Sequence, residues 1–246
     1  KRQFMKNKLT ICAVIPARSG SKTVKDKNII KLNGHPIMSY SISIAKKSTQ
    51  IDKVVFSSDS KKYLNIAKKY KPDIIHKRSK KNSSDKATDL DFLKEIIKYL
   101  FKNHNYKPDL IVLLRGNCPS RNLKNLDKAI KYFKQNMKKY TSLRSVTKMS
   151  ETSYKTFYIS SKKLKNIVTK NYDEKNSNKP KEAFKETYSG NGYIDIIKTK
   201  SIQENFMHGH KVLAYENEDI CVDIDYPQDL AYAKFLLNNY KYFRIK

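Results

Sequence analysis

The feature that most constrains this chain is a repeated one: an apolar run stops abruptly in a cluster of small and charged residues. It happens after Ile15 in ICAVIPARSGSK, after Phe56 in VVFSSDS, after Leu114 in IVLLRGNCPSR, and again around Asp223 in CVDID. Short apolar runs rich in β-branched residues read as strands buried on both faces. Between them, apolar residues recur at helical spacing in PIMSYSISIAKKS, KKYLNIAKKY, TDLDFLKEIIKYLFKN and NLKNLDKAIKYFKQN. Strands separated by helices predict an α/β fold with a mostly parallel sheet and helices on both faces. In such sheets ligands bind beyond the carboxyl ends of the strands. Four polar clusters in that one position therefore predict a pocket.

The rhythm changes at about residues 151–200. YKTFYIS and GNGYIDIIK read as strands flanking a Lys- and Asn-rich stretch at 170–181, which suggests an inserted arm or lid. Regular alternation resumes with KVLAYE, CVDID as a strand, and a last helix in YPQDLAYAKFLLNNYKYF. The 246 residues suit one domain with an excursion. No apolar stretch approaches a membrane span. Basic residues precede the first apolar run, but that run leads straight into a polar loop, as a core strand does and an export signal does not. Cys12, Cys118 and Cys221 are odd in number and far apart in sequence. They read as reduced thiols of a cytoplasmic protein, without a metal-ligand pattern.

The formal charge of +29 invites a nucleic-acid reading. Only seven of the 52 cationic residues are arginine, however, and the lysines are spread along the whole chain. That pattern is a compositional bias toward solvated lysines, and no nucleic-acid motif accompanies it. The first loop is more specific. Ser19 to Lys22 can present backbone N–H groups between cations, which suits a phosphate chain. The G-x-x-x-x-G-K-[ST] spacing is absent, so this is not a Walker loop, and an ordinary surface turn is the alternative. The pair His208 and His210 is assigned a solvated or capping role in a loop. Cys118 is read as a space-filler.

The segment IPARSGSKTVKDKNIIKLNGHPIMSYSI carries Ala-Arg-x-x-Ser-Lys, then Lys-Asn, then Leu-x-Gly-x-Pro. With VVFSSDS, HKRSKKNSSDKAT, IVLLRGNCPSR, YSGNGYIDI and VDIDYPQDL, it resembles the acylneuraminate (sialic acid type) cytidylyltransferases, the CMP-sugar synthetases of 2-keto sugar acids. The resemblance runs through nearly the whole chain in order. It implies a Rossmann-like domain over residues 1–246 with a small dimerisation arm at about 151–200, and a homodimer. It also implies that CTP and a sialic-acid-like nonulosonate give the CMP-sugar and pyrophosphate, with Mg2+ as cofactor. Ala17, Arg18, Ser19, Gly20, Ser21, Lys22, Lys27 and Asn28 match the family's nucleotide loop. Arg78, Ser84 and Asp85 match a segment that contacts the nucleoside, and Asn191 and Gly192 match the turn beside the acceptor.

Asp223 and Asp225 match the family's metal-binding aspartates. Two apart on a strand, they would face one side and share a hard cation such as magnesium. Either Asp225 or Asp229 could instead cap the last helix. The resemblance makes Arg18, Lys22, Lys27 and Asp225 the catalytic set. Three departures stand out: Arg115 replaces a glutamine that commonly faces the acceptor, Asp195 stands where a tyrosine often is, and Thr23 replaces a glycine. Arg115 could take the acceptor's carboxylate through two parallel bonds, reach the triphosphate, or support the strand end. The departures leave the sugar open, a Kdo-type octulosonate or a legionaminic or pseudaminic relative included. An inactive homologue and a nucleic-acid-binding protein are the remaining alternatives.

Overall fold

The computed structural model describes residues 9–217, 219–240 and 245. Strand β1 (Ile11–Pro16) is followed by a two-residue hairpin, β2 (Lys31–Leu32) and β3 (His35–Pro36), and by α1 (Ile37–Lys47). Then β4 (Lys53–Ser58), α2 (Lys61–Lys68), β5 (Ile74–Lys77), α3 (Asp89–His104), β6 (Leu110–Leu113), α4 (Leu123–Asn136) and β7 (Ser142–Lys148) alternate. A second hairpin, β8 (Phe157–Ser160) and β9 (Lys163–Asn166), and the single turn α5 (Glu174–Ser177) precede β10 (Tyr188–Lys198). The described chain continues with α6 (Thr199–Gln203), β11 (Val212–Glu216) and α7 (Pro227–Asn239). Residues 1–8, and residues 241–243 of the expected last helix, lie outside the described residues.

Seven strands form one sheet in the order β11-β7-β10-β6-β1-β4-β5. Strand β1 pairs parallel with β4 and β6, and β4 pairs parallel with β5, as the apolar runs predict. Strand β10 runs antiparallel to β6, with Asp195 opposite Leu113. The carboxyl ends of β1, β4 and β6 and the early residues of β10 therefore share one rim.

Period-two alternation explains the layers. Ile11, Ala13 and Ile15 pack on one face of the sheet with Met38 and Ile42 of α1, Tyr63 of α2 and Phe133 of α4. Cys12 and Val14 pack on the other face with Phe92, Ile96 and Leu100 of α3 and Ile202 of α6. Helix α3 starts where it does because Thr88 and Asp91 form a reciprocal capping box.

The opposite rim is held by acids. Asp52 Oδ2 accepts from Ile11 N at 2.8 Å, Asp73 Oδ2 from Val54 N at 2.7 Å, and Asp109 Oδ2 from Thr10 N at 2.7 Å. Each carboxylate satisfies an N–H at or beside the start of a neighbouring strand.

The CVDID segment departs from expectation. Residues 221–225 are extended but make no sheet pairing among the described residues. They dock instead on the loop after β6: Val222 N donates to Ser120 Oγ at 2.9 Å and Ile224 N to Asn117 O at 3.0 Å. Val222 and Ile224 are buried with Leu32, Ile37, Leu236 and Leu237.

The chain divides into two compact units, residues 1–145 with 191–246, and Val146–Gly190. The smaller unit carries the β8–β9 hairpin, with Ser161 and Lys162 both at positive φ in its turn. Its excursion is shorter than the expected 151–200, because residues 191–198 belong with the main sheet.

Replacing Asp73 with Ala is expected to remove the acceptor of Val54 N and cost about 1–2 kcal/mol of stability. Urea unfolding measures it, and an unchanged midpoint would show that the acidic rim does not support the strands.

Candidate active site

At the end of β1, Ala17 is buried and donates its N–H to Ser57 O at 3.0 Å, which aims the following loop across β4. Ser19 is fastened to Asp59: its amide and hydroxyl donate to the two carboxylate oxygens at 2.8 and 2.7 Å. Burial works to raise the Asp59 pKa, but the two bonds from Ser19, the residue's own backbone N–H and the Arg78 charge together leave the carboxyl below its ordinary value. Gly20 turns the loop at φ 78° with open space around it.

Beyond it, Arg18 and Lys22 both reach Asp85, Arg18 Nη1 at 2.8 Å and Lys22 Nζ at 2.7 Å. Hydrogen bonds from Lys22 and Arg18 hold the Asp85 carboxyl below its usual range. Lys27 Nζ lies 2.5 Å from Asp225 Oδ1, and buried Asn28 donates to Arg18 O at 3.1 Å. Ser21 lies in the same loop.

The structure thus joins Arg18, Lys22 and Asp85 in one cluster, and Lys27 to Asp225. It does not join Arg78 to Asp85 by a hydrogen bond. Arg78 is buried, donates to the Ser57 hydroxyl and carbonyl, and lies 4.3 Å from the centre of the Phe92 ring. Burial lowers its pKa. Ser84 is exposed and donates to Lys81 O.

On the other side of β1, Arg115 Nη2 donates to Asp89 Oδ2 at 2.6 Å and lies 4.0 Å from Asp195 Oδ2. Asp195 is buried, with Arg144 Nε at 3.9 Å and His208 Nε2 at 3.4 Å. His208 is therefore turned inward, contrary to the solvated or capping role assigned from sequence, because its loop is drawn in by hydroxyls of Thr141 and Ser142 on its carbonyl. His210 packs on Phe206 at 4.5 Å.

The Asn191 side chain accepts from Ser145 Oγ at 2.7 Å and Tyr193 N at 3.1 Å, so it shapes its own turn. Gly192 sits at φ 67°, and a Cβ there would come within 3.0 Å of Asp223 Oδ2 and 3.5 Å of Arg115 Cδ. Glycine is needed both for conformation and for this close approach.

Asp223 is the unusual group. Its Oδ1 is buried without a hydrogen-bond partner. Burial, with Asp225 as the next cause, raises its pKa. A buried carboxylate with an unused oxygen, beside a second carboxylate, fits a hard divalent cation that takes oxygen ligands. Val222 and Ile224 are buried, while Asp223 lies beside Gly192 and Asp225 beside Lys27. The question of the helix cap is settled by Asp229, whose Oδ2 accepts from Asp225 N at 2.9 Å and Tyr226 N at 2.7 Å. Asp225 is left to Lys27.

Three residues of this site escape sequence reasoning. Asp59 and Asp89 look like ordinary loop and helix-start acids. Arg121 is buried and joins the loop after β6 to β10 through bonds to Cys118 O, Tyr193 O and Gly192 O at 2.6, 2.6 and 3.1 Å. A cavity of about 820 Å³ between α4 and β11, lined by Lys128, Tyr132 and Tyr215 among others, contains none of these residues.

Asp223→Asn tests the cation fit. A raised folded-state pKa means that the folded protein holds more protons than the unfolded chain between the ordinary carboxylate value and the raised one. The carboxylate's unfavourable contribution is thus absent below the ordinary value and fully present above the raised one. The variant is expected to unfold at higher urea concentration than the parent at pH 7, to lose this advantage on acidification, and to lose any stabilisation by Mg2+. An undiminished Mg2+ effect would remove Asp223 from the cation site.

Residues 12–245 match the model of the family described as Cytidylyltransferase. The chain is 31% identical to a pseudaminic acid cytidylyltransferase from Campylobacter jejuni, over 91% of this chain and 94% of that protein. It is 29% identical to an N-acylneuraminate cytidylyltransferase from Escherichia coli, over 91% of this chain and 51% of that longer protein. In fold it is similar to a CMP:2-keto-3-deoxy-manno-octonic acid synthetase complexed with CTP, with a TM-score of 0.67 and 13% identity over 94% of this chain and 99% of that one. With the family model spanning almost all of its length, this chain belongs to the cytidylyltransferase family.

Proposed function

We propose that the chain transfers CMP from CTP to a sialic-acid-like nonulosonate, giving the CMP-sugar and pyrophosphate. The observation that carries this reading is the meeting of opposite charges at one rim. A turn bearing Arg18, Lys22 and Lys27 comes down on the segment of Asp223, whose buried Oδ1 has no partner. The relatives support the acceptor class, since pseudaminic acid and N-acylneuraminate are both nine-carbon 2-keto sugar acids. The reaction is assigned to the cytoplasm, where CTP is available.

In this reading the anomeric hydroxyl attacks the α-phosphorus in line, and the bond to the β-phosphate oxygen breaks. Asp223 and Asp225 would hold a divalent cation, Mg2+ in our proposal, which when bound supplies charge neutralisation at the phosphates. Arg18 and Lys22 exchange Asp85 for the triphosphate, and Lys27 reaches the departing pyrophosphate from beside Asp225. Ala17, Ser19, Gly20 and Ser21 offer the loop backbone to the phosphates, with Asn28 bracing it from Arg18 O. Arg78, Ser84 and Asp85 serve the nucleoside end. Gly192 keeps the acceptor side open, and Asn191 sets its turn. The free donors of Arg115 face the acceptor's carboxylate.

Pyrophosphate release with CTP and Mg2+ across a panel of 2-keto sugar acids tests the reaction. Turnover with a nonulosonate supports it. Turnover with Kdo alone would move the assignment to an octulosonate, and preference for ATP or GTP over CTP would overturn the nucleotide. Lys22→Ala is expected to lose about 2–4 kcal/mol of transition-state stabilisation, chiefly in kcat. Normal turnover in that variant would take Lys22 out of the site.

Arg115→Gln separates the roles open to that residue. A lost charged hydrogen bond is worth about 1.5–3 kcal/mol, so KM for the sugar acid should rise about tenfold or more while CTP affinity holds. A weakened CTP affinity with an unchanged sugar KM would assign Arg115 to the triphosphate instead.

The whole chain is proposed to act as one nucleotidyltransferase domain, with Val146–Gly190 as its dimerisation arm. That unit exposes Tyr158, Ile159, Leu164, Ile167, Val168 and Tyr172, an apolar set that a second copy would cover. Light scattering at micromolar concentration should give a dimer, and Ile159→Glu a monomer. A monomeric parent chain would contradict the arm's role.

A further inference from the structure

Cys118 and Cys221, 103 residues apart in sequence, bring their sulfurs to 3.4 Å. Cys118 is fully buried in the loop after β6, and Cys221 opens the extended segment that carries Asp223 and Asp225 and is partly exposed. The approach is built into the backbone. Ser120 and Asn117, flanking Cys118, accept from Val222 N and Ile224 N, and Asn117 Nδ2 donates to Ile224 O at 3.4 Å. Arg121 Nη1 holds the Cys118 carbonyl at 2.6 Å. The Cys221 thiol donates to Asn191 O at 3.0 Å, which fixes the direction of its sulfur. Two sulfurs that already face each other need approach by little more than an ångström to bond.

We propose that Cys118 and Cys221 are a reversible oxidation site that takes a peroxide-class oxidant and closes to a disulfide, displacing the Asp223 segment. Peroxide transfers one oxygen to the first thiol, giving a sulfenic acid and water. The second sulfur attacks the sulfenic sulfur; the S–S bond forms, the S–O bond breaks, and the hydroxyl leaves as water with the second thiol's proton. Two thiols lose two electrons in total, and the peroxide is reduced. A dithiol reductant reverses the step.

Closure acts on the rim in two ways. It removes the hydrogen that Cys221 donates to Asn191 O, and it pulls the residue two before Asp223 toward the loop. Asp223 has little room for this, because a Cβ at Gly192 would already lie 3.0 Å from its Oδ2. The effect on turnover rests on the function proposed for Asp223, whereas disulfide formation does not.

The experiment counts thiols in the full chain after graded hydrogen peroxide, alkylation under denaturing conditions and intact mass measurement. Alkylatable thiols are expected to fall from three to one, with a peptide linking Cys118 to Cys221, and dithiothreitol should restore three. Neither Cys221→Ser nor Cys118→Ala should form a link under the same peroxide, and the variant that retains the first-oxidised thiol should stop at the sulfenic acid, which dithiothreitol reverses. Persistence of three thiols in the parent, a link to Cys12, or a link between chains would overturn the oxidation site and leave the pair as core filling.

For the switch, the oxidised parent should lose the Mg2+-dependent thermal shift and at least tenfold in turnover, and recover both on reduction, while Cys221→Ser is unaffected by peroxide. A linked protein with an undiminished thermal shift would overturn the displacement. An absence of turnover in every reduced form would count against the proposed reaction alone, with thiol count and peptide map still deciding the oxidation site.

Discussion

The candidate site depends on one buried guanidinium. Arg121 Nε donates to Tyr193 O, Nη2 to Gly192 O, and Nη1 to Cys118 O, to Ser41 Oγ and, at 3.2 Å, to Arg115 O. The carbonyls belong to the loop after β6 and to the start of β10, which no turn connects. Without that charge the two would expose unpaired backbone to each other. Lysine could not replace it, because the contacts fan out in a plane and need a rigid fork of donors. A buried cation is normally expensive. Here carbonyl dipoles converge on it, and the Tyr193 ring lies 5.9 Å away.

With that frame in place, the cations of the rim are held in waiting by acids. Arg18 and Lys22 share Asp85, Lys27 takes Asp225, and Arg115 takes Asp89. The Lys22 and Asp85 side chains are 78% and 51% exposed, so their pairing contributes little. Lys27 is different, with only 15% of its side chain exposed. It is placed by packing, and its charge offsets that of the two neighbouring aspartates.

How much of this was legible depends on distance along the chain. Apart from CVDID, strands announced by apolar runs and helices announced by period appear where expected, because both signals are local. The alternation around Asp223 and Asp225 is local too, since Val222 and Ile224, one before each, are buried. What was hidden is long-range: Ser19 to Asp59, Arg115 to Asp89, Arg121 to Tyr193, Cys118 to Cys221. One available signal was passed over. In a chain whose default cation is lysine, each arginine marks a place that needs a planar fork. Of the seven, Arg2 and Arg244 fall outside the described residues. The other five, Arg18, Arg78, Arg115, Arg121 and Arg144, all belong to this rim or to the cluster around Asp195.

That cluster also changes how the departures from the family pattern should be counted. Arg115 and Asp195 are separate oddities in sequence, one replacing a glutamine and the other a tyrosine. In the fold they face each other at 4.0 Å, with Arg144 and His208 on the far side of the carboxylate. A carboxylate as buried as Asp195 would be costly alone, and a guanidinium introduced without it would have Asp89 as its one close partner. The two residues therefore support each other, Asp195 gaining a cationic neighbour and Arg115 a second acid. In the proposed function, this pair would discriminate among sugar acids by the geometry of their carboxylate and substituents, with its own charges balanced.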